Sequence, residues 1–583
     1  VLDAAANPAL RRPAPVTGAR RPGATGAPSA NVAATGGTDG ATRGSVPAET
    51  AASLGGGGST GAASASGPDA PVTSREVTWE LSVTDQPWWR DHSFYEQPAG
   101  WHCIEDEFPL VPMTGIIEML AAEAQALVPG SVVLSVESIR AFRWLAVEPP
   151  ASVTVKVAVD AAATAAAPPG TTVVKASVDG HARAIVHLAA DWPAAPAPEA
   201  RPITGHIEVP VAPERIYVER HLFHGPEYQG LAELNFGADG ATGVLVAGSA
   251  PGALLDNAGQ VFGLWMASAV DRDRLVLPTS IDSMTFYGPL PEPGSRVGCV
   301  VNCTSLTDQT VRADLELTVD GQVWCRIDGW EDRRFQSNDR LFMVLRKPQV
   351  TPLAEPQPEG WVMVREGWPD SASRDVVMRR FLGQAERDDY FARNPNVQRT
   401  WLLGRIAAKD AVRTLLWSEG TGPVFPVEIS VANDADGRPT VTGPGVDDVV
   451  VSIAHTAGIG VALAAVGTDV GIDIELVEPR PASFEATALT PAERDLLAAG
   501  PPSERDRTIT RWWAAKEAAA KADGTGMDGR PRDFEVSQDH GDRVRIGNRV
   551  IATRTVTNPA APDGPAQPQE HVVAWTLIEP RDD

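Results

Sequence analysis

Gly471-Ile472-Asp473-Ile474-Glu475, taken with Trp513-Ala514-Ala515-Lys516-Glu517-Ala518-Ala519-Ala520-Lys521, decides how the C-terminal part of this chain folds. In the first stretch acids alternate with isoleucines, the period of a strand, so Asp473 and Glu475 share one face and Ile472 and Ile474 the other. The alanine-rich second stretch has strong helix propensity, and Glu517 and Lys521 stand at i and i+4 on one side of it. Three carboxylates of this kind suit a hard Mg²⁺ that also holds phosphate oxygens, with Lys521 as a point charge for the remaining phosphate. Either stretch alone reads equally well as a half-exposed strand or a salt-bridged surface helix. Together they point to phosphoryl chemistry.

Gly437-Arg438-Pro439, Ser452-Ile453-Ala454-His455 and Gly524-Thr525-Gly526 surround this pair in order. The set resembles the signature of the larger, Sfp-like 4'-phosphopantetheinyl transferases, over about residues 350–583. The resemblance implies an α+β fold of two similar halves that binds coenzyme A with Mg²⁺ in the cleft between them. It implies Asp473, Glu475 and Glu517 as metal ligands, Lys521 at the pyrophosphate, and Arg438 and His455 at the nucleotide phosphates. Glu517 is also a candidate base for the serine proton of the acceptor. Ala454 and Thr456 depart from the family's usual Ser-His-Ser wording.

At 583 residues the chain is too long for one core, and length alone suggests about three or four domain-sized units. A net charge of −25 argues against a general nucleic-acid or anionic-membrane binder, where basic charge against phosphate dominates. Cys103, Cys299, Cys303 and Cys325 are too few and too irregularly spaced for a disulfide framework or a zinc site, and read as thiols in a reducing cytoplasm. No apolar run approaches the roughly 18 residues of a membrane span, and no secretory pattern opens the chain, so a soluble cytoplasmic protein is expected. The first residue is Val, which suggests the tail of a longer polypeptide.

Residues 1–74 are dominated by Ala, Gly, Pro, Ser and Thr and cannot bury enough apolar surface to offset ordering entropy, so they read as a disordered linker. Prolines at 348, 352, 356 and 358 mark a second linker, 346–360, ahead of a transferase domain at 361–583. Between the linkers, 75–345 contains a weak repeat with halves of about 75–200 and 201–345. Phe142 matches Phe286, Glu148-Pro149 matches Glu292-Pro293 and Val153 matches Val297, each after a helix-like segment, Met113 to Leu127 and Asn257 to Val270. A helix wrapped by an antiparallel sheet, present twice, predicts a double hotdog.

Asp91-His92 stands ahead of the first helix. Leu254-Leu255-Asp256-Asn257-Ala258-Gly259-Gln260 opens the second, with His224-Gly225-Pro226-Glu227-Tyr228-Gln229 upstream. These resemble polyketide synthase dehydratase domains, over about 75–345. The resemblance implies His92 as the base that takes the α-proton of a 3-hydroxyacyl thioester, with no metal or redox cofactor. Asp256, its pKa raised by apolar surroundings, would protonate the departing β-hydroxyl, and Gln260, one turn on, would fix its orientation. His92 lies twenty residues before Pro112, wider than the family's His-to-Pro spacing, and His102 is the nearer alternative. Leu222-Phe223-His224-Gly225-Pro226 replaces the family's Tyr-x-Tyr-Gly-Pro, which leaves His224 as a tunnel-lining residue or a turn cap.

The expected protein is thus the C-terminal part of a polyketide synthase, with a dehydratase followed by a transferase. Its partners are an acyl-carrier-protein domain, upstream or on another chain, and acyl thioesters. Dehydratases of that family are often dimeric, which points to a homodimer through that domain. The alternatives are a hotdog that isomerises or hydrolyses thioesters, or a catalytically dead scaffold that docks the carrier for the transferase.

Overall fold

The computed structural model describes residues 73–368, 370–456, 458–560 and 566–577. The expectation for 1–74 therefore lies, apart from its last two residues, outside the described residues.

The apolar residues Ile116, Ile117, Leu120, Ala124 and Leu127 recur at helical spacing and bury one face of the helix Met113–Leu127. The second helix, Ala253–Ala269, is buried on most sides and begins four residues earlier than Asn257, so Asp256 falls in its first turn. Both lie against one antiparallel sheet of eleven strands. Outward from the centre, one half runs Val132–Ala141, Ala182–Ala189, Thr172–Val178, Ala151–Val159, Ser74–Leu81. The other runs Leu275–Phe286, Gln322–Phe335, Thr310–Val319, Arg296–Leu306, Gly240–Val246, and adds Leu231–Gly237 at its edge. The same strand order thus occurs twice around the central pair, whose register sets Ser135 against Thr285 and Arg140 against Ser280. In both halves the Glu-Pro element sits between the first strand after the helix and the next. This is the double hotdog.

The helices approach at their N-termini. Gly252 has a positive φ of 74°, and a Cβ there would stand 2.2 Å from the backbone nitrogen of Gly115. Glycine alone satisfies both requirements. The Gly252 N–H donates to Glu118 Oε2 at 2.8 Å and ties one helix start to the other helix.

The C-terminal domain also repeats its order. Trp361–Arg365, Ile459–Val466 and Val449–Thr456 are neighbours in one sheet; Ile472–Leu476, Gln569–Thr576 and Arg549–Asn558 are their counterparts in the other. Helix Pro395–Ser418 packs on the first sheet and helix Arg505–Asp523 on the second. The buried polar groups repeat too. Lys409 donates to Glu386, the Phe381 carbonyl and the Pro426 carbonyl; Lys516 donates to Glu493, the Ala488 carbonyl and the Pro531 carbonyl. The second oxygen of each glutamate accepts a strand N–H, from Val431 and Val536 respectively. A buried ammonium is tolerated only when its three donors are met, and here all three are met in the same way twice.

Residues 346–360, expected as a linker, are held closely. Asp410 accepts the Leu353 and Ala354 N–H groups at 2.7 and 2.8 Å, and Arg413 donates to the Pro348 and Thr351 carbonyls. The prolines there limit helix and sheet without making the segment loose. The two domains also meet through the residues between His92 and Pro112. Asp106 pairs with Arg387 at 2.6 Å, Tyr95 donates to the Val376 carbonyl at 3.1 Å, Arg380 donates to the Glu96 carbonyl at 2.9 Å, and Arg379 lies 3.8 Å from the centre of the Phe108 ring. The wide His-to-Pro spacing is therefore a docking loop for the C-terminal domain.

Candidate active sites

In the double hotdog His92 ends a short 3₁₀ turn, Pro87–His92, and is buried. Its Nδ1 lies 3.2 Å from the Leu110 carbonyl oxygen, which can only accept, so Nδ1 carries the proton and Nε2 the lone pair. Nε2 is 3.7 Å from Asp256 Oδ1. The Asp91 carbonyl accepts the Gly225 N–H at 2.7 Å, and Asp91 Oδ2 accepts the Glu227 N–H at 2.9 Å. A Cβ on Gly225 would stand 2.4 Å from Asp91 Oδ1, so glycine lets the two segments close. That closure sets the His92 and His224 rings 5.2 Å apart.

His224 Nε2 is 3.2 Å from Asp256 Oδ2, and Gln260 Nε2 donates to the same oxygen at 2.8 Å. Gln260 is fixed in turn by Tyr217, whose hydroxyl donates to Oε1 at 2.7 Å, and by the Tyr228 carbonyl. Burial lowers the His92 pKa to about 4, so the ring is neutral at ordinary pH. Burial pushes the Asp256 carboxyl up, but His224, His92 and the Gln260 hydrogen bond together outweigh it and hold the group below the ordinary carboxylate range. This corrects the expectation of a raised Asp256: the sequence displays the apolar neighbours but not the two imidazoles that converge on it. His102 is exposed, sits tilted against the Trp101 ring and lines no part of the cavity. The groups open into a cavity of about 120 Å³ walled by Phe94, Pro112, Trp144, Phe223, Leu277, Trp330 and Asp332.

In the C-terminal domain the geometry gives the reason for Gly471. A Cβ there would stand 1.8 Å from the Ala518 carbonyl oxygen, so strand Ile472–Leu476 lies flush against helix Arg505–Asp523 only because residue 471 has no side chain. That contact brings Asp473, Glu475, Glu517 and Lys521 together. Lys521 Nζ donates to Asp473 Oδ1 at 2.8 Å and to the Ile472 carbonyl at 3.1 Å. Glu475 accepts from Arg480 at 2.8 Å and from Trp513 Nε1 at 3.1 Å. Asp473 Oδ2 is buried and has no hydrogen-bond partner among the described residues. Burial, and then the Asp473 charge, raise the pKa of both Glu475 and Glu517.

An orphaned carboxylate oxygen beside two carboxyls that its charge disfavours is a donor set a divalent cation would relieve, although among the described residues the three carboxylates are not drawn into one tight ligand cluster. Of the three carboxylates Asp473 borders a cleft of about 1100 Å³, whose first-half wall carries Trp401, Arg405, Ser452 and His455 and whose second-half wall carries Asp473, Lys521 and Gly524. Arg438 lines it as well and pairs with Asp469 at 3.0 Å. Burial, and then Lys521, lower the His455 pKa. Ser452 Oγ accepts the Ile472 N–H at 3.1 Å and ties the halves together.

Sequence reasoning missed Tyr217, Trp401 and Arg405, for which no motif stands out, and left His224 undecided. The signal for His224 was its place in the family's Tyr-x-Tyr-Gly-Pro element.

Comparison with known proteins finds matches in both parts. Residues 469–574 match the 4'-phosphopantetheinyl transferase superfamily, and residues 195–341 match the polyketide synthase dehydratase N-terminal domain. The holo-[acyl-carrier-protein] synthase of Exiguobacterium sibiricum is 30% identical over 105 residues, 17% of this chain and 80% of that protein. Among solved structures, the dehydratase domain of a mycocerosic acid synthase-like polyketide synthase aligns at 19% identity and a TM-score of 0.34, over 46% of this chain and 92% of that one. The dehydratase domain from the CurJ module of curacin polyketide synthase aligns at 18% and 0.34, over 47% and 96%. Among the described residues, no helix is long and apolar enough to cross a membrane.

Proposed function

Since the chain belongs to the 4'-phosphopantetheinyl transferase superfamily and carries a polyketide synthase dehydratase domain ahead of that part, we propose that it dehydrates carrier-bound 3-hydroxyacyl thioesters and transfers 4'-phosphopantetheine from coenzyme A to a carrier serine. The family implies coenzyme A as donor and a divalent metal; Mg²⁺ is the ion we assign.

The dehydratase reading rests on His92, Asp256 and His224 converging in one apolar cavity. His92 Nε2 takes the α-proton, and the C–H electrons become the second bond between the α- and β-carbons. The β-hydroxyl leaves as water with the proton shared between His224 Nε2 and Asp256 Oδ2. That pair, rather than Asp256 alone, is the acid, because a carboxyl held below its ordinary range is ionised. Transfer of the captured proton from His92 to Asp256 across 3.7 Å resets the site.

In the transferase Asp473, Glu475 and Glu517 would hold the cation. When bound, such an ion neutralises pyrophosphate charge and steadies the leaving group. Lys521, His455 and Arg438 bind the phosphates, and Glu517 takes the proton of the carrier serine. The orphaned Asp473 Oδ2 supports this placement.

The test uses the full chain. With an apo carrier, coenzyme A and Mg²⁺, carrier mass should rise by one phosphopantetheine, and EDTA should stop it. 3-Hydroxyacyl-pantetheine should lose one water to give the α,β-unsaturated product. No mass change in a folded protein that binds coenzyme A refutes the first activity; recovery of unchanged 3-hydroxy thioester refutes the second.

A further inference from the structure

One wall of the acyl cavity carries a charged group that the chemistry above does not use. Asp332 sits on strand Gln322–Phe335, where the pairing with Leu275–Phe286 shifts register between Glu331 and Asp332. Such an irregularity re-aims a side chain. Here Asp332 is turned inward, 3% exposed, beside Trp330 and against the cavity that holds His92 and Asp256.

Its surroundings leave it half satisfied. Trp330 Nε1 donates to Oδ1 at 2.7 Å, and no other donor reaches the carboxyl among the described residues. Opposite it in the neighbouring strand stands Pro278, which has no N–H to offer. Leu277, Val276, Gly259 and Gly263 line the same cavity. Gly259 lets the Trp330 ring lie directly on the second hotdog helix, since a Cβ there would stand 2.8 Å from the ring. The indole, and with it the carboxyl, is thereby held in place. Burial pushes Asp332 up to about 7, the cost of an acid without enough partners. A buried carboxyl with a single donor on the wall of an acyl cavity is expensive unless a ligand completes it.

We propose that Asp332 is a binding residue for the acyl chain, and that it selects chains bearing a hydroxyl group beyond the reacting carbons. A hydroxyl suits this site because it donates to a carboxylate and accepts from a carboxylic acid, whereas a methylene leaves Oδ2 unpaired. The proposal rests on the reading of this cavity as the site for a 3-hydroxyacyl chain, and deepens it. It gives the substrate class: partly reduced chains that retain an earlier hydroxyl, the product of a preceding ketoreduction that was not followed by dehydration.

The experiment measures binding of acyl-pantetheines that lack the 3-hydroxyl and so cannot be dehydrated, by calorimetry on the full chain. The ligands are of equal length, with one hydroxyl placed at successive carbons from the δ-carbon outward, beside the plain alkyl chain. One position should bind about tenfold or more tighter than the alkyl chain, the ratio expected when a buried acceptor is left unpaired by the poorer ligand. Asp332→Leu should reverse that ratio, and Asp332→Asn, which keeps a carbonyl oxygen and an amide, should retain part of it. Equal binding of all hydroxylated and alkyl ligands by the unsubstituted protein overturns the proposal, as does an unchanged ratio in Asp332→Leu. If Asp332→Leu does not fold, the ligand comparison and Asp332→Asn decide. No binding of any acyl-pantetheine would instead sink the reading of the cavity.

Discussion

Removing one partner of the Asp106–Arg387 pair should uncouple the two domains. The Arg387 side chain is 4% exposed and that of Asp106 2%, with Nη1 and Oδ1 2.6 Å apart. The same Nη1 also reaches the Leu382 carbonyl at 2.9 Å, and Glu105 stands 3.4 Å from Nη2. Asp106→Asn keeps the shape that receives Trp101 Nε1 but leaves the guanidinium buried beside a neutral amide. Breaking a buried pair on one side costs about 3–5 kcal/mol, whereas replacing both partners with apolar groups is close to neutral. Asp106→Asn and Arg387→Met are therefore each expected to lose about 3–5 kcal/mol, and Asp106→Leu combined with Arg387→Met to recover most of it. Urea unfolding followed by tryptophan fluorescence and by cleavage within 346–360 reads the effect, which should appear as two separated transitions where the parent has one. Dehydration should fall as well, because the same loop runs back to Phe94 on the cavity wall. Single variants within about 1 kcal/mol of the parent, the worth of an exposed pair, would refute the reasoning.

Asp256→Asn and His224→Phe should each slow dehydration by about 10²-fold or more, as loss of a general acid does, while carrier modification continues and His102→Ala retains dehydration; product mass checks all three. Asp332 gives a pH dependence of stability: its folded pKa of about 7 lies above the ordinary 3.8, so the native state keeps a proton that the unfolded chain releases. That contribution is fully present below 3.8 and is lost as pH rises through 7, up to about 4 kcal/mol, so urea midpoints at pH 5 and pH 8 should differ less in Asp332→Asn than in the parent. Gly471→Ala drives a methyl onto the Ala518 carbonyl and should cost about 1–3 kcal/mol, lowering coenzyme A affinity through displacement of Asp473; equal affinity in the variant would count against strand placement as the reason for that glycine.

What the sequence made legible is what repeats or alternates. Asp473 and Glu475 were readable because strand period is local, and the double hotdog because the same helix and Glu-Pro element occur twice. The unreadable part depends on partners far along the chain. Asp256 looks like an acid in apolar company until His224 and His92 arrive from 32 and 164 residues upstream, and then its charge state inverts. The same holds for the stretch between His92 and Pro112, which reads as a spacing fault in a dehydratase. Its reason is Arg387, Arg380 and Arg379, three cations of the next domain that are buried and have to be met. A transferase cut away near residue 350 would expose those arginines, together with the Val376 carbonyl that Tyr95 satisfies. The loop between His92 and Pro112 is therefore part of the C-terminal domain's fold, and the two proposed activities sit on one structural unit that sequence motifs divide in two.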